Sequence, residues 1–160
     1  MVELIFIRHA DAGDPEAWQG DDDVRPLSAK GERQADRLGR FLAGVGFAPD
    51  AIVTSPKLRA LQTAQIVAER IGKPFGTDTR LGGPLSPDTL ETLLRDAGDP
   101  QRPVVVGHDP DFSELVADLC GASELPMRKG ALARIDIERP LAAGTGTLRW
   151  LVPPDLLKSR

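Results

Sequence analysis

The chain contains two histidines, His9 and His108, and each follows directly on a short apolar segment. A neutral imidazole nitrogen is a competent nucleophile near pH 7, because the unperturbed pKa of histidine is about 6.5. Arg8 precedes the first histidine, and a guanidinium binds phosphate oxygens through a planar fork. These residue types predict a site that binds a compact anion, with phosphate as the leading candidate.

A third group of polar residues follows another apolar segment, at 51–54. Ser55, Arg59 and Gln62 are spaced by four and three, so on a helix they form one stripe along its first two turns. The opposite face of that helix carries small and apolar residues that can pack on a core. The stripe is therefore predicted to face a cleft, with Arg59 as a second cation for an anion and Ser55 more simply interpreted as the helix N-cap.

The elements that must position these residues alternate between short apolar strands and longer segments of helical period. This alternation predicts an α/β fold: a three-layer sandwich with a mostly parallel central sheet and helices on both faces. In such sheets ligands bind outside the carboxyl ends of the strands, so both histidines are expected at one edge. Predicted strands lie at 2–7, 51–54, 75–79 and 103–106.

Helix signals and a change of pattern complete the assignment. Ser28 is a predicted N-cap, Ser55-Pro56 is predicted to start the second long helix, and shorter helices are predicted at 88–95 and after Pro110. Residues 133–137 alternate between apolar and polar side chains, and 147–152 is predicted to pair with them. The C-terminal part is therefore expected to add an antiparallel edge to the sheet, followed by a short tail.

Composition excludes several classes of protein. A length of 160 residues fits one domain, 1–160, and a single cysteine with two histidines provides neither a disulfide nor a zinc site. No metal and no cofactor are predicted. Twenty basic residues against 24 acidic ones, spread along the chain, argue against nucleic-acid binding. The apolar runs are too short to span a membrane and no export signal is visible, so a cytoplasmic location is expected.

Four ordered segments resemble the histidine phosphatase superfamily, also called phosphoglycerate mutase-like. They are Leu4-Ile5-Phe6-Ile7-Arg8-His9-Ala10, residues 22–31, Thr54-Ser55-Pro56-Lys57-Leu58-Arg59 with its continuation to Ala64, and Val106-Gly107-His108. Their order and the chain length are similar to the small branch without lid insertions, the bacterial phosphohistidine phosphatases. The resemblance implies that His9 is transiently phosphorylated and that Arg8, Arg59 and His108 hold the phosphoryl group.

The resemblance also implies roles that the residues themselves do not establish. It makes Arg25 a further substrate contact; an ion pair with Asp22 or Asp23 is the alternative. Ser55 and Gln62 are included as candidate substrate-binding residues, although a cap and a solvated surface position remain open for them. Ala10 stands where the family usually has glycine, so that any positive φ at this position would be strained.

The presence or absence of a carboxylic general acid decides which leaving groups the site can release. The segment 80–88, where larger members carry such an acid, offers only Asp88. Without an acid, alkoxide leaving groups should be poor, because proton donation is worth about 10² to 10⁴ in rate. Phosphohistidine on a signalling protein is therefore the predicted substrate, and an open cleft suits a protein-bound phosphate. The alternatives are a small-molecule phosphomonoesterase or mutase, and a phosphate- or phosphopeptide-binding module without turnover.

Overall fold

A six-stranded sheet covered by four helices forms the framework of the protein. The computed structural model describes residues 1–158. The strands are β1 (Val2–Arg8), β2 (Ala51–Thr54), β3 (Gly76–Thr77), β4 (Pro103–Gly107), β5 (Leu132–Ile137) and β6 (Thr147–Val152). The helices are α1 (Ala29–Gly44), α2 (Leu58–Ile71), α3 (Pro87–Asp96) and α4 (Asp111–Cys120).

The strand order is β3-β2-β4-β1-β5-β6. The first four strands in this order are parallel to their neighbours, whereas β5 is antiparallel to β1 and β6 is antiparallel to β5. The predicted α/β architecture with an antiparallel C-terminal edge is therefore confirmed. The third strand is much shorter than predicted, since only two of the five predicted residues pair with β2.

Successive side chains of β1 enter two different hydrophobic clusters, one on each face of the sheet. Ile5 and Ile7 pack with α1 and α2, and Leu4 and Phe6 pack with α3 and α4. A strand that is buried on both faces must be apolar at nearly every position, which explains its continuous hydrophobic run. The two clusters fix β1 rigidly, and with it the residues that follow its end.

The beginnings of the two long helices differ from each other. Ser28 caps α1 as predicted, because its Oγ accepts a hydrogen bond from Gly31 N. The prediction for α2 is wrong: the helix begins at Leu58, its N-cap is Lys57, and no side chain caps it. Ser55 is instead fully buried in the turn between β2 and α2. It is not a helix cap, because its hydroxyl is bonded within the turn and to a histidine.

The remaining predicted elements agree with the structure to within one or two residues. The C-terminal tail contains one short 3-10 helix, Pro154–Leu157, which the sequence did not indicate. Among residues 1–158, no helix combines the length and the apolar character that a membrane span requires.

Candidate active site

The register of the sheet brings the two histidines together. Arg8 in β1 is paired with Gly107 in β4, so the next residue of each strand leaves the sheet at the same level. His9 N then donates a hydrogen bond to Gly107 O at 2.9 Å. The ring centroids of His9 and His108 lie 5.2 Å apart, and both residues are buried. Two histidines that are far apart in the sequence thus form one cluster.

The ring of His9 is held in one orientation and one tautomer. Its Nδ1 lies 2.7 Å from the carbonyl oxygen of Ala10, and a carbonyl can only accept, so Nδ1 carries the proton. The lone pair is therefore on Nε2. Burial lowers the pKa of His9 to about 4; the hydrogen bond to Ala10 opposes this shift, and the positive charges of Arg59 and Arg8 add to it. At neutral pH the ring is uncharged and nucleophilic at Nε2.

His108 is also neutral, for the same principal reason. Burial lowers its pKa to about 3, with further contributions from His9 and Arg59. Its Nε2 lies 2.8 Å from Ser55 Oγ, which also accepts a hydrogen bond from Lys57 N. Ser55 therefore orients the second histidine, a role that the sequence did not indicate. A seryl hydroxyl that donates to Nε2 leaves the ring proton on Nδ1.

The two predicted guanidiniums reach the same region from different elements. Arg8 Nη1 donates to Met127 O at 2.7 Å and lies 3.7 Å from a carboxylate oxygen of Asp109. Arg59, in the first turn of α2, is buried and donates from Nη1 to the backbone oxygen of Asp22 at 2.8 Å. Its Nη2 lies 3.2 Å from the Asp22 carboxylate. Both cations are thus fixed by contacts outside the histidine pair.

Buried polar atoms without partners concentrate at this site. Within residues 1–158, three buried side-chain nitrogens have no hydrogen-bond partner: Arg8 Nε, Arg59 Nε and His108 Nδ1. All three belong to the predicted catalytic residues, and guanidinium Nε is always a donor. Buried polar nitrogens are normally satisfied, so three unsatisfied ones, two of them obligatory donors, indicate a missing partner. An oxyanion with several oxygens fits that requirement.

Arg25 and Gln62 are committed to contacts other than the histidine pair. Arg25 is buried; its Nε donates to the Asp22 carboxylate at 2.9 Å and its Nη1 donates to Ala12 O at 2.6 Å. The alternative ion pair with Asp22 therefore occurs. Gln62 Oε1 accepts from Leu27 N at 2.8 Å, which ties α2 to the segment before α1. The substrate contacts expected for both residues remain predictions.

Sequence reasoning missed the contact of Asp22 with Arg59 and the role of Thr63. Asp22 lies within the acidic run 21–23, which is typical of a solvated loop, yet its carboxylate bridges Arg25 and Arg59. The hydrogen bond from Arg25 holds the pKa of Asp22 below its usual range. Thr63 Oγ1 accepts from Ala10 N at 3.1 Å and anchors the backbone after His9. The sequence gave no indication of this contact of Thr63, because a threonine on the buried face of a helix is common.

The alanine that replaces the family's glycine causes no strain. Among the described residues, Asp99 is the one non-glycine residue with a positive φ, so Ala10 occupies an ordinary backbone conformation. Its side chain is fully buried in a small cluster with Leu27 and Ala35. The departure at this position therefore leaves the geometry of His9 intact.

The candidate general acid, Asp88, makes no hydrogen bond or ion pair with the side chains of the cluster. Asp88 lies in the first turn of α3, is exposed, and makes no side-chain hydrogen bond or ion pair within the described chain. The carboxylates that do contact predicted site residues are Asp22 and Asp109, and both face arginines. In the part of the chain that the structure describes, no group of three or more histidine, cysteine, aspartate or glutamate side chains could hold a metal ion.

The fold and the site define a class of protein: an α/β domain that brings two neutral histidines and two guanidiniums together at one edge of its sheet. Residues 4–82 match the histidine phosphatase superfamily (branch 1). The chain belongs to this superfamily. The match contains three of the four segments that carry the resemblance, and His108 lies outside it.

Individual relatives give a narrower comparison. The chain is 28% identical over 163 residues to the phosphohistidine phosphatase SixA of Escherichia coli K12, covering 98% of this chain and 97% of that protein. A structure of the protein histidine phosphatase SixA complexed with tungstate superposes with a TM-score of 0.84 at 26% identity, covering 98% of this chain and all of the other. An uncharacterised protein from Picosynechococcus is 35% identical over 119 residues, 71% of this chain and 70% of its own length. These similarities support phosphatase activity.

Proposed function

We propose that the protein is a phosphohistidine phosphatase that forms a covalent phosphohistidine intermediate on His9. The observation that carries this proposal is the set of three buried, unpartnered nitrogens on Arg8, Arg59 and His108, next to a histidine whose Nε2 lone pair is free. Donors that lack an acceptor beside a nucleophile fit a phosphoryl group better than any neutral ligand. The full-length similarity to SixA agrees with this assignment.

The first chemical step transfers the phosphoryl group to His9. Nε2 attacks phosphorus, the bond from phosphorus to the leaving nitrogen breaks, and the released imidazole takes a proton from water. His9 needs no base for this attack, because burial keeps its ring neutral and the Ala10 carbonyl fixes the tautomer. Water then attacks the phosphohistidine, and inorganic phosphate leaves from Nε2.

The cations and His108 stabilise the transferring group. Phosphoryl transfer spreads negative charge over three equatorial oxygens, and catalysis depends on positioning and on charge stabilisation. Arg8 Nε, Arg59 Nε and His108 Nδ1 provide up to three donors for those oxygens. Their contacts with backbone oxygens and with the Ser55 hydroxyl hold them in place before the substrate arrives, so that little reorganisation accompanies the reaction.

The absence of a placed general acid favours a phosphoramidate over a phosphate ester. The hydrogen bond from Arg25 lowers the pKa of Asp22, and Asp109 faces Arg8 at 3.7 Å. Asp88 is exposed and makes no side-chain hydrogen bond or ion pair within the described chain. An alkoxide leaving group needs a proton donor, whereas the imidazole of a phosphohistidine leaves readily without one. We therefore propose phosphohistidine on a signalling protein as the substrate.

The decisive experiment is to trap the intermediate. The protein is mixed for milliseconds with a ³²P-labelled phosphohistidine protein, quenched in alkali, and analysed for label on His9. We expect an alkali-stable, acid-labile label that is absent in the His9→Ala variant. In His108→Gln the label should form more slowly, because one donor to the phosphoryl oxygens is lost.

Relative rates then test the substrate class. A phosphohistidine protein and an unactivated alkyl phosphate are compared under identical conditions, with an aryl phosphate as a reference that leaves without an acid. We expect the phosphohistidine and aryl substrates to exceed the alkyl ester by about 10² or more in kcat/KM. Equal turnover of the alkyl ester and the phosphohistidine protein would show that an acid is present and that the substrate assignment is wrong.

A further inference from the structure

A cavity of about 580 Å³ opens beside the candidate active site and has a strongly basic lining. Seven of its eleven lining residues are lysine or arginine and two are aspartate. Three of the basic residues, Lys30, Arg33 and Arg37, follow one another on the outer side of α1. The lining of the cavity is positively charged, although the whole chain carries a net charge of −4.

Most of the basic side chains that line the cavity have no ion-pair partner within the described chain. Within residues 1–158, no carboxylate lies within ion-pair distance of the charged groups of Lys30, Arg33, Arg37 or Lys129, whereas most other arginines of the chain have such a partner. The cavity's own Asp11 is charged, because the hydrogen bond from Ser28 Oγ and the nearby Lys129 and Lys30 lower its pKa. The second aspartate, Asp155, lies 3.5 Å from Arg128, so that the seven basic residues of the lining still outnumber its two carboxylates. The basic lining of the cavity therefore attracts an external anion.

The cavity shares one residue, Arg8, with the candidate active site. Arg8 lines it and also supplies one of the unpartnered nitrogens of the site. Gly130 N donates hydrogen bonds to the backbone oxygens of Arg8 at 3.2 Å and His9 at 3.0 Å, which places the segment containing Lys129 against the end of β1. An anion in the cavity would thus adjoin a phosphoryl group on His9.

We propose that this cavity binds acidic side chains that flank the phosphorylated residue of a protein substrate, and so selects among phosphohistidine proteins. The inference rests on the proposed function, since it assigns the part of the same substrate that lies next to the phosphoryl group. The cavity acts in recognition, before the chemical step.

The form of the lining favours an acidic protein segment over a small anionic molecule. Lys30 and Arg33 are exposed, and the charges on α1 extend from Lys30 to Arg37, or about 10 Å of helix. A small-molecule site usually holds its ligand with a few fixed, buried polar groups. Exposed charges that are spread along a surface instead accelerate association with an oppositely charged surface.

The test compares two phosphohistidine peptides that differ only in their flanks. One has aspartate and glutamate around the phosphohistidine, and the other has asparagine and glutamine. We expect wild-type kcat/KM to favour the acidic peptide by about tenfold or more at low salt. The preference should fall toward one at about 0.5 M NaCl, because salt screens exposed charges.

Charge reversal locates the effect. Lys30→Glu combined with Arg33→Glu should abolish or invert the preference for the acidic peptide. The control is Lys73→Glu combined with Arg95→Glu, which makes the same change in net charge at two exposed positions that have no ion pair within the described chain and lie outside the cavity. We expect this control to retain the wild-type preference.

The outcomes separate the two proposals. Equal hydrolysis of both peptides by the wild type, or equal loss in both double variants, overturns the cavity assignment and leaves the phosphohistidine phosphatase assignment standing. If neither peptide is hydrolysed while an aryl phosphate is, both proposals fail.

Phosphoserine, a small molecule that carries its own carboxylate, tests whether the cavity binds small anions instead. For Lys30→Glu combined with Arg33→Glu, kcat/KM for phosphoserine is compared with kcat/KM for the aryl phosphate. If this ratio falls by as much as the ratio between the acidic and the neutral peptide, the cavity is a small-molecule subsite and the proposal is wrong.

Discussion

Gly31 is the position at which one added methyl group should damage both the fold and the site. This residue lies in the first turn of α1, and a Cβ built on it would be 1.9 Å from the carbonyl oxygen of Asp11. An ordinary carbon–oxygen contact is about 3.4 Å, so the two backbones would have to separate by about 1.5 Å. The obstacle is backbone, and no side-chain rotation can relieve the clash.

The expected cost follows from the contacts that hold Asp11. Its backbone oxygen accepts from Ser28 N at 3.0 Å, and its N donates to Gln34 Oε1 at 2.9 Å. Overpacking typically costs about 1 to 3 kcal/mol, and each lost hydrogen bond costs about 1 kcal/mol. We therefore expect Gly31→Ala to lower the free energy of unfolding by about 2 to 4 kcal/mol. Since Asp11 is close to His9 in the chain, a shift of about 1 Å should also reduce kcat/KM up to about 10²-fold.

Urea denaturation and aryl phosphate kinetics measure both effects. Gly44→Ala, in the last turn of the same helix, is the matched control. Beyond its neighbours in the helix, no atom lies within 4 Å of the position that its Cβ would occupy, and alanine favours helix. The control should be neutral or stabilising by up to about 1 kcal/mol. If Gly31→Ala unfolds within about 0.5 kcal/mol of the wild type and retains full activity, then the close approach of α1 to Asp11 does not exist.

Four further predictions concern charge, stability and packing at the site. In an NMR titration of the ligand-free protein, neither histidine should protonate between pH 8 and pH 5, because burial lowers both pKa values to about 4 or below; a midpoint near 6.5 would contradict this. Since these folded-state values lie below the unfolded value, the unfolded chain binds more protons, and urea melts should show stability falling as pH drops from about 6.5 toward 4. Asp22→Ala should tighten inhibition by inorganic phosphate by about two- to tenfold, because Arg25 and Arg59 lose a competing carboxylate; weaker inhibition would instead assign Asp22 a positioning role. Gly107→Ala should destabilise the protein by about 1 to 3 kcal/mol and slow turnover, because its Cβ would lie 2.6 Å from Phe112 Cζ, next to His108; an unchanged melting curve would refute this.

The sequence predicted those features of the protein that depend on local pattern. Continuous apolar runs indicated strands buried on both faces, and β1 and β4 have that burial. The position of each histidine directly after such a strand then predicted a common edge, because neighbouring parallel strands end at the same side of a sheet. The pairing of Arg8 with Gly107 in the structure then sets the distance between the rings of His9 and His108.

The features that the sequence did not predict depend on contacts between distant segments. Ser55 before Pro56 is a typical helix start, but its hydroxyl is bonded to His108, 53 positions away, and α2 begins three residues later. The acidic run containing Asp22 is typical of solvated loops, and only its packing against α2 places this carboxylate beside Arg59. No local pattern encodes either partner, since a capping serine and a surface aspartate are the commoner outcomes.

Burial explains how one site can hold a neutral nucleophile beside permanent cations. Desolvation lowers the pKa of both His9 and Arg59, but the usual pKa of histidine is near neutrality and the ring loses its charge, whereas that of arginine is far above neutrality and the guanidinium keeps its charge. The same low polarity that makes His9 nucleophilic thus strengthens the attraction of Arg59 for a phosphoryl group. A bound dianion must then act on the histidines in the opposite direction, because a nearby negative charge favours the protonated ring. Inorganic phosphate should accordingly raise the pKa of His108, and an NMR titration that shows no such rise would mean that the anion does not bind between these residues.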